Sequence, residues 1–190
     1  LLGLSEPPKK PHWTGLHGAL WWQGLSAYGE TLDGLISADS VQAFEEQLTS
    51  LGLRPFSDRQ LEQRRIAAGA PSPEFEYHDE VNPLELRLGP QAIGWNKGCY
   101  IGQEVISRLD SYDKLARVLM GFSCAAMTEA PQKIFLHGTW IGKVTSFINV
   151  DEKLLGLAII ERHAAQPTEI EVASLSGRVL GYLEDRPFWR

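Results

Sequence analysis

Cysteine is scarce in this 190-residue chain, with only Cys99 and Cys124. No pair has CxxC spacing, so neither a zinc knuckle nor a redox dithiol is indicated. So few thiols fit a reducing compartment better than a secreted, disulfide-stapled fold. The expected location is therefore the cytoplasm, or an organellar matrix or stroma in a eukaryote. Histidine is also sparse. His12, His17, His78, His137 and His163 show no HxxxH pattern, and no metal site is expected from them. Basic excess is absent as well: the net charge is -6, which argues against a nucleic-acid-binding surface. Lys97, Arg108, Lys114 and Arg117 read as a solvated face. No apolar run approaches the length needed to span a bilayer. The start, Leu1-Leu2-Gly3-Leu4, has no charged n-region or h-region and does not read as a signal peptide. Gly138 to Gly142 lacks the GK[ST] ending of a phosphate loop.

What is present reads as an ordinary globular composition, able to bury a sizeable core. Residues 5–12 are rich in proline and lysine and predict a loose lead-in. Residues 13–38, with tryptophans and frequent glycines, predict short strands separated by turns, with 31–37 the best candidate. A helix is expected over 40–51, capped by Asp39 or Ser40, striped by Val41, Phe44, Leu48 and Leu51, and closed by Gly52. A second is expected over 58–68, where Ser57 and Gln60 form a capping-box pattern and Gly69 ends the helix. Pro71 and Pro73 then force an extended, acidic stretch over 74–80, which reads as a solvated loop.

From Lys114 onward the pattern changes to period two. Six short strands are expected, at 115–123, 133–136, 139–148, 154–160, 169–175 and 178–183. His137-Gly138 and Ser176-Gly177 supply turn signals between neighbours. Such a series suggests a small antiparallel barrel or sandwich. The boundary falls near residue 112, giving an α+β part over 1–111 and a β domain over 112–190.

The most informative stretch is Lys97-Gly98-Cys99-Tyr100-Ile101-Gly102-Gln103-Glu104. It sets one thiol between two glycines just before a predicted helix, in which Ile101, Val105, Ile106 and Leu109 recur at helical spacing. A helix N-terminus and a neighbouring Lys97 both favour a thiolate. Gly98 and Gly102 allow backbone angles, or an approach by a ligand, that a side chain would forbid. Cys99 has open readings as a small buried residue, a nucleophile, a redox-sensitive thiol or a transient metal or cluster ligand. Lys97 reads either as a surface lysine or as a partner for an anionic group. Gln103 and Glu104 read as first-turn residues that bond backbone at the helix start.

The same stretch resembles the signature of the YgfZ family of folate-binding proteins, relatives of the aminomethyltransferase (T-protein) of the glycine cleavage system. Three flanking pieces agree in order. Arg65-Ile66-Ala67-Ala68-Gly69-Ala70-Pro71 resembles the family's "RIAAG-P" helix end. Asn82-Pro83-Leu84-Glu85 resembles its "PLE" segment, and Gly142-Lys143-Val144-Thr145-Ser146 its "G-VTS" strand. The resemblance covers about residues 57–162. Family members begin with a further segment that has no counterpart here.

The resemblance implies an α+β fold: part of an aminomethyltransferase-like folate-binding domain, followed by a C-terminal β-barrel. It implies tetrahydrofolate or a derivative as cofactor, and a role supporting iron–sulfur cluster assembly or repair with client or assembly proteins as partners. It further implies Cys99 as the functional thiol on the rim of a folate cavity. Arg65, Lys97 and Tyr100 would be folate-side residues, and Gly98, Gly102, Gln103 and Glu104 the motif frame. A folate-dependent aminomethyl or one-carbon transferase is the alternative. Against it, Ala67 stands where aminomethyltransferases carry a glutamate, and those enzymes lack the cysteine signature. A third alternative is an interaction module that binds no folate.

Overall fold

The structure is a computed structural model that describes residues 13–16, 19–26, 29–111 and 115–185. The lead-in at 5–12, His12, His17 and Lys114 lie outside the described residues. The chain divides into two compact units, residues 1–61 and 62–190. This division falls inside a helix, whereas the sequence boundary near 112 marks the approach to the first barrel strand.

The first unit holds a three-stranded antiparallel sheet of β1 (Trp13–Leu16), β2 (Ala19–Ser26) and β3 (Gly29–Leu35). Trp21 of β2 is buried. Its ring lies 5.5 Å from that of Phe44 on α1 (Val41–Ser50). Neither Asp39 nor Ser40 acts as the expected side-chain cap. A 3-10 turn over Ala38–Ser40 leads into the helix instead, and the Ser40 N–H donates to Ser37 O at 2.9 Å. The C-terminus closes as expected. Gly52 takes φ +80°, Gly52 N–H donates to Thr49 O, and Leu53 N–H reaches back to Leu48 O. This is the Schellman pattern, which only a left-handed residue completes without strain.

α2 (Asp58–Ala68) starts with the predicted capping box. Gln60 N–H donates to Ser57 Oγ at 3.3 Å, and Ser57 N–H donates to Gln60 Oε1 at 2.9 Å. It ends on the same Schellman pattern as α1, with Gly69 at φ +73° and Ala70 N–H donating to Arg65 O. Turns over 72–88, the short α3 (Gly89–Ala92) and α4 (Gln103–Ser111) follow.

The remainder is a closed antiparallel barrel of six strands: β4 (Arg117–Ala125), β5 (Lys133–Leu136), β6 (Thr139–Val150), β7 (Lys153–Glu161), β8 (Thr168–Ala173) and β9 (Arg178–Glu184). Their spatial order is β4-β7-β6-β5-β8-β9, and β9 pairs back with β4. The His137-Gly138 turn has both residues at positive φ, 50° and 78°, as a two-residue hairpin matched to strand twist requires. The barrel interior is filled by Val118, Met120, Phe122, Cys124, Ile134, Ile141, Leu154, Ile160 and their neighbours. The continuous apolar run Val118–Phe122 has a physical reason. Leu119 points outward yet is fully buried, because Ile66, Leu86, Ile148 and Leu157 cover it. The segment from Ile66 to Leu86 therefore packs on the outside of the barrel, and burying each such side chain contributes about 1.5–3 kcal/mol.

Candidate functional site

Three of the sequence motifs meet in that packing, and they do so through two buried carboxylates. Glu76, in the loop read from sequence as solvated, is 0% exposed. Its Oε2 accepts from Ser72 N–H at 2.8 Å and from Arg65 Nη1 at 3.2 Å, while its Oε1 accepts from Ser146 Oγ. Arg65 is 7% exposed. Its Nη1 also donates to Ala70 O at 2.6 Å, and its Nε and Nη2 grip Glu62 at 2.7 and 2.6 Å. Phe75 lies against the guanidinium at 5.6 Å. The planar five-donor fork of arginine is thus spread over two carboxylates and a carbonyl. On β6, the strand register shifts between Val144 and Ser146, with Thr145 Oγ1 donating to Leu157 O. That bulge accompanies the turn of Ser146 toward Glu76. Gly142 is required by close approach: a Cβ there would lie 2.4 Å from Ile159 O.

The second carboxylate is Glu85, also buried. Its Oε2 accepts from Asn82 N–H at 3.0 Å, both oxygens take bonds from Arg117, and its backbone oxygen accepts from Leu119 N–H at 2.7 Å. The "RIAAG-P", "PLE" and "G-VTS" pieces are therefore joints that fasten residues 62–88 to the barrel. Sequence reading missed Glu76 and Glu85 as buried joints, since their partners lie 70 and 32 residues away.

Next to these joints, the signature stretch lines a cavity of about 430 Å³. Asn82 and Pro83 form one side, Ala92 to Gly94 another, and Lys97, Tyr100, Ile101, Gly102, Val105 and Ile106 the rest. Ligand cavities commonly measure about 300–1,000 Å³. Lys97 Nζ stands 4.4 Å from the centre of the Tyr100 ring, a cation–π arrangement that holds a charge at the cavity wall. Gly102 takes φ +90°, and a Cβ there would meet nothing within 4 Å. The glycine thus serves the turn into α4 and leaves the cavity open. Gly98 needs no such conformation, and a Cβ at that position would also meet nothing within 4 Å. Ile101 is wholly exposed at 104%, and no residue of α4 is buried, so Ile101, Val105 and Ile106 of the apolar stripe edge the cavity rather than fill a core.

Cys99 sits between two lining residues with its thiol exposed. The first helical residue is Gln103, four positions on, and the helix-terminus field falls off within one turn. Exposure, rather than the helix end, is what the fold gives this thiol. Glu104 pairs with Arg108 at 2.7 Å on the helix surface, and Gln103 N–H donates to Tyr100 O. Cys124 differs from Cys99 in every respect. It lies in the barrel core, and burial pushes its thiol up to about 11, so it stays protonated at neutral pH. Of the site residues expected from sequence, the structure brings Lys97, Tyr100 and Gly102 together around one cavity. It places Cys99 beside them and puts Arg65 in the buried network with Glu62 and Glu76. Of the residues read from sequence as a solvated face, Arg108 and Arg117 have carboxylate partners. Among the described residues no cluster of three or more metal-ligating side chains occurs, and no helix is long and apolar enough to cross a membrane.

The fold is that of the aminomethyltransferases. The crystal structure of the glycine cleavage system aminomethyltransferase T from Bartonella henselae matches with a TM-score of 0.73 at 16% identity, over 91% of this chain and 50% of that one. In sequence, a chloroplastic protein of Arabidopsis thaliana provisionally named a transferase is 35% identical over 133 residues, covering 69% of this chain and 31% of that protein. An uncharacterized protein of Haemophilus influenzae is 28% identical over 144 residues, covering 68% of this chain and 51% of that protein. The chain thus spans about a third of one of these curated relatives and about half of the other. No protein-family profile matches it.

Proposed function

We propose that this chain is the cavity-and-barrel part of a tetrahydrofolate-binding protein of the YgfZ kind, in which Cys99 is the working thiol. The observation that carries the reading is the cavity of about 430 Å³ walled by Lys97, Tyr100 and Gly102 of the signature stretch, within an aminomethyltransferase fold. The residues fit the ligand's chemistry. Ile101, Val105, Ile106 and Pro83 offer an apolar wall to a flat ring, and Lys97 offers a cation to a carboxylate tail. Tetrahydrofolate, when bound, would supply one-carbon carrying capacity. The chain's own share is to orient the ring and to present Cys99 beside it. Arg65 acts at a distance, by fixing the 70–76 segment.

Support of iron–sulfur proteins is the role proposed for the thiol. Cys99 can give one ligand, and Cys124 is held as a protonated thiol inside the barrel. A four-iron cluster normally takes four ligands. The other ligands would come from a client protein, an assembly protein or a small thiol. A matrix or stromal location suits this chemistry, and the Arabidopsis relative is itself chloroplastic. A second reading, a folate-dependent aminomethyl or one-carbon transferase, is favoured by that relative's name. Turnover of tetrahydrofolate with an aminomethyl donor separates the two.

The test is anaerobic calorimetric titration with tetrahydrofolate. Saturable one-to-one binding, weakened about tenfold in Lys97→Ala, is the expected result. Absence of heat from a folded sample would refute the folate reading for this chain.

A further inference from the structure

The outer face of the barrel carries a second groove, remote in sequence from the signature stretch. Side chains alternate along β9, so Leu183 is fully buried while Leu180 and Tyr182 point outward. Leu180 is 79% exposed. Tyr182 stands in register with Ser123 of β4 and Glu169 of β8, and Leu180 with Glu171. Leu180, Tyr182, Ser123 and Glu169, with Glu152 and Lys153, shape a groove of about 550 Å³. Leu180 and Tyr182 lie together rather than singly, and an apolar patch rimmed by polar groups is the kind of surface that contacts another molecule.

The rim of the groove is acidic. Glu152 and Glu169 line it. Glu184 flanks it, accepting from Ser123 Oγ at 2.6 Å. Glu171 completes the rim, paired with Arg178 at 2.8 Å while that guanidinium stacks on Phe135 at 3.8 Å. Against four carboxylates stand Lys153 and the already engaged Arg178. The barrel is closed, so a partner cannot add a strand to these sheets and must be read by side chains.

We propose that this groove docks a basic and apolar polypeptide segment: an aliphatic or aromatic side chain laid on Leu180 and Tyr182, flanked by lysine or arginine facing Glu152, Glu169 and Glu184. A second copy of the chain fits worse, because a symmetric contact would set the same acidic rim against itself.

The experiment titrates the isotope-labelled chain, followed by amide chemical shifts, with a capped heptapeptide alternating lysine with leucine and phenylalanine. A matched peptide with glutamate in place of lysine is the control. The expected result is saturable shifts around Glu169, Leu180 and Tyr182, weakened as salt rises. Leu180→Ser and Glu169→Lys, both at exposed positions, should each weaken binding about tenfold, the scale on which loss of a contact anchor acts. Equal binding of the glutamate peptide, shifts centred elsewhere, or no saturation would overturn the proposal. So would self-association by light scattering that Leu180→Ser abolishes, since the occupant would then be a second copy.

Discussion

Removing the Glu76 carboxylate tests the joint between the 62–88 segment and the barrel. Glu76→Ala leaves the Arg65 guanidinium buried with one of its two carboxylates, and leaves Ser146 Oγ without its acceptor. Breaking a buried ion pair from one side costs about 3–5 kcal/mol. Glu62 stays on Arg65, and its side chain is 32% exposed, so part of the charge remains compensated and the lower end applies, about 3 kcal/mol. For a unit of this size that is a fall of about 12 °C in unfolding midpoint. Urea denaturation followed by circular dichroism reads the change directly. Ser146→Ala alone should cost about 1.5 kcal/mol, as loss of a hydrogen bond to a charged group does. The double variant should then cost at least about 1 kcal/mol less than the sum, because the two residues share one bond. A loss under about 1 kcal/mol for Glu76→Ala would show that the joint contributes little to stability, and strict additivity with Ser146→Ala would show that the two residues do not share the bond.

Two further expectations concern the thiols. A thiol reagent such as dithionitrobenzoate should label one cysteine quickly in the native chain, with Cys99→Ser removing that phase, and Cys124 should react only on denaturation. Fast labelling of both, or of neither, would contradict the burial described. Stability should also fall as pH rises from about 9 toward about 11. Over that window the unfolded chain has released the Cys124 proton while the folded chain still holds it, so the folded state binds more protons. Tyr77, whose ionisation is pushed up mainly by burial and further by Glu76, adds slope of the same sign. Cys124→Val should flatten the profile, and an unchanged slope would sink the assignment.

The barrel was legible because its determinants are local. Alternation along 133–136 and 178–183, and turn residues such as His137-Gly138, act within a few positions. The capping box at Ser57 and Gln60 and the glycine stops at Gly52 and Gly69 are local too. The start of α1 was misread because Ser40 belongs to a 3-10 turn and caps nothing. Burial of Glu76 was illegible for the opposite reason. Nothing within 74–80 distinguishes it from its exposed neighbours Glu74 and Glu80, and only the arrival of Arg65 and Ser146 makes a home for its charge. At the signature stretch the sequence marked a group of residues that the structure divides. Their division of labour came from the fold, which gives Lys97, Tyr100 and Gly102 to a cavity wall and Cys99 to solvent.

Closure of the barrel has a consequence for how the chain is made. Strand β4 pairs with β7 on one side and with β9 on the other. Until the ribosome releases the residues around Leu183, the backbone groups of Gly121 to Cys124 face open water along that edge. The nascent chain carries this unpaired edge from the making of β4 until β9 is complete, so β9 acts as a clasp. A chain stopped before β9 would present two sticky strands, β4 and β8, to its neighbours on the polysome.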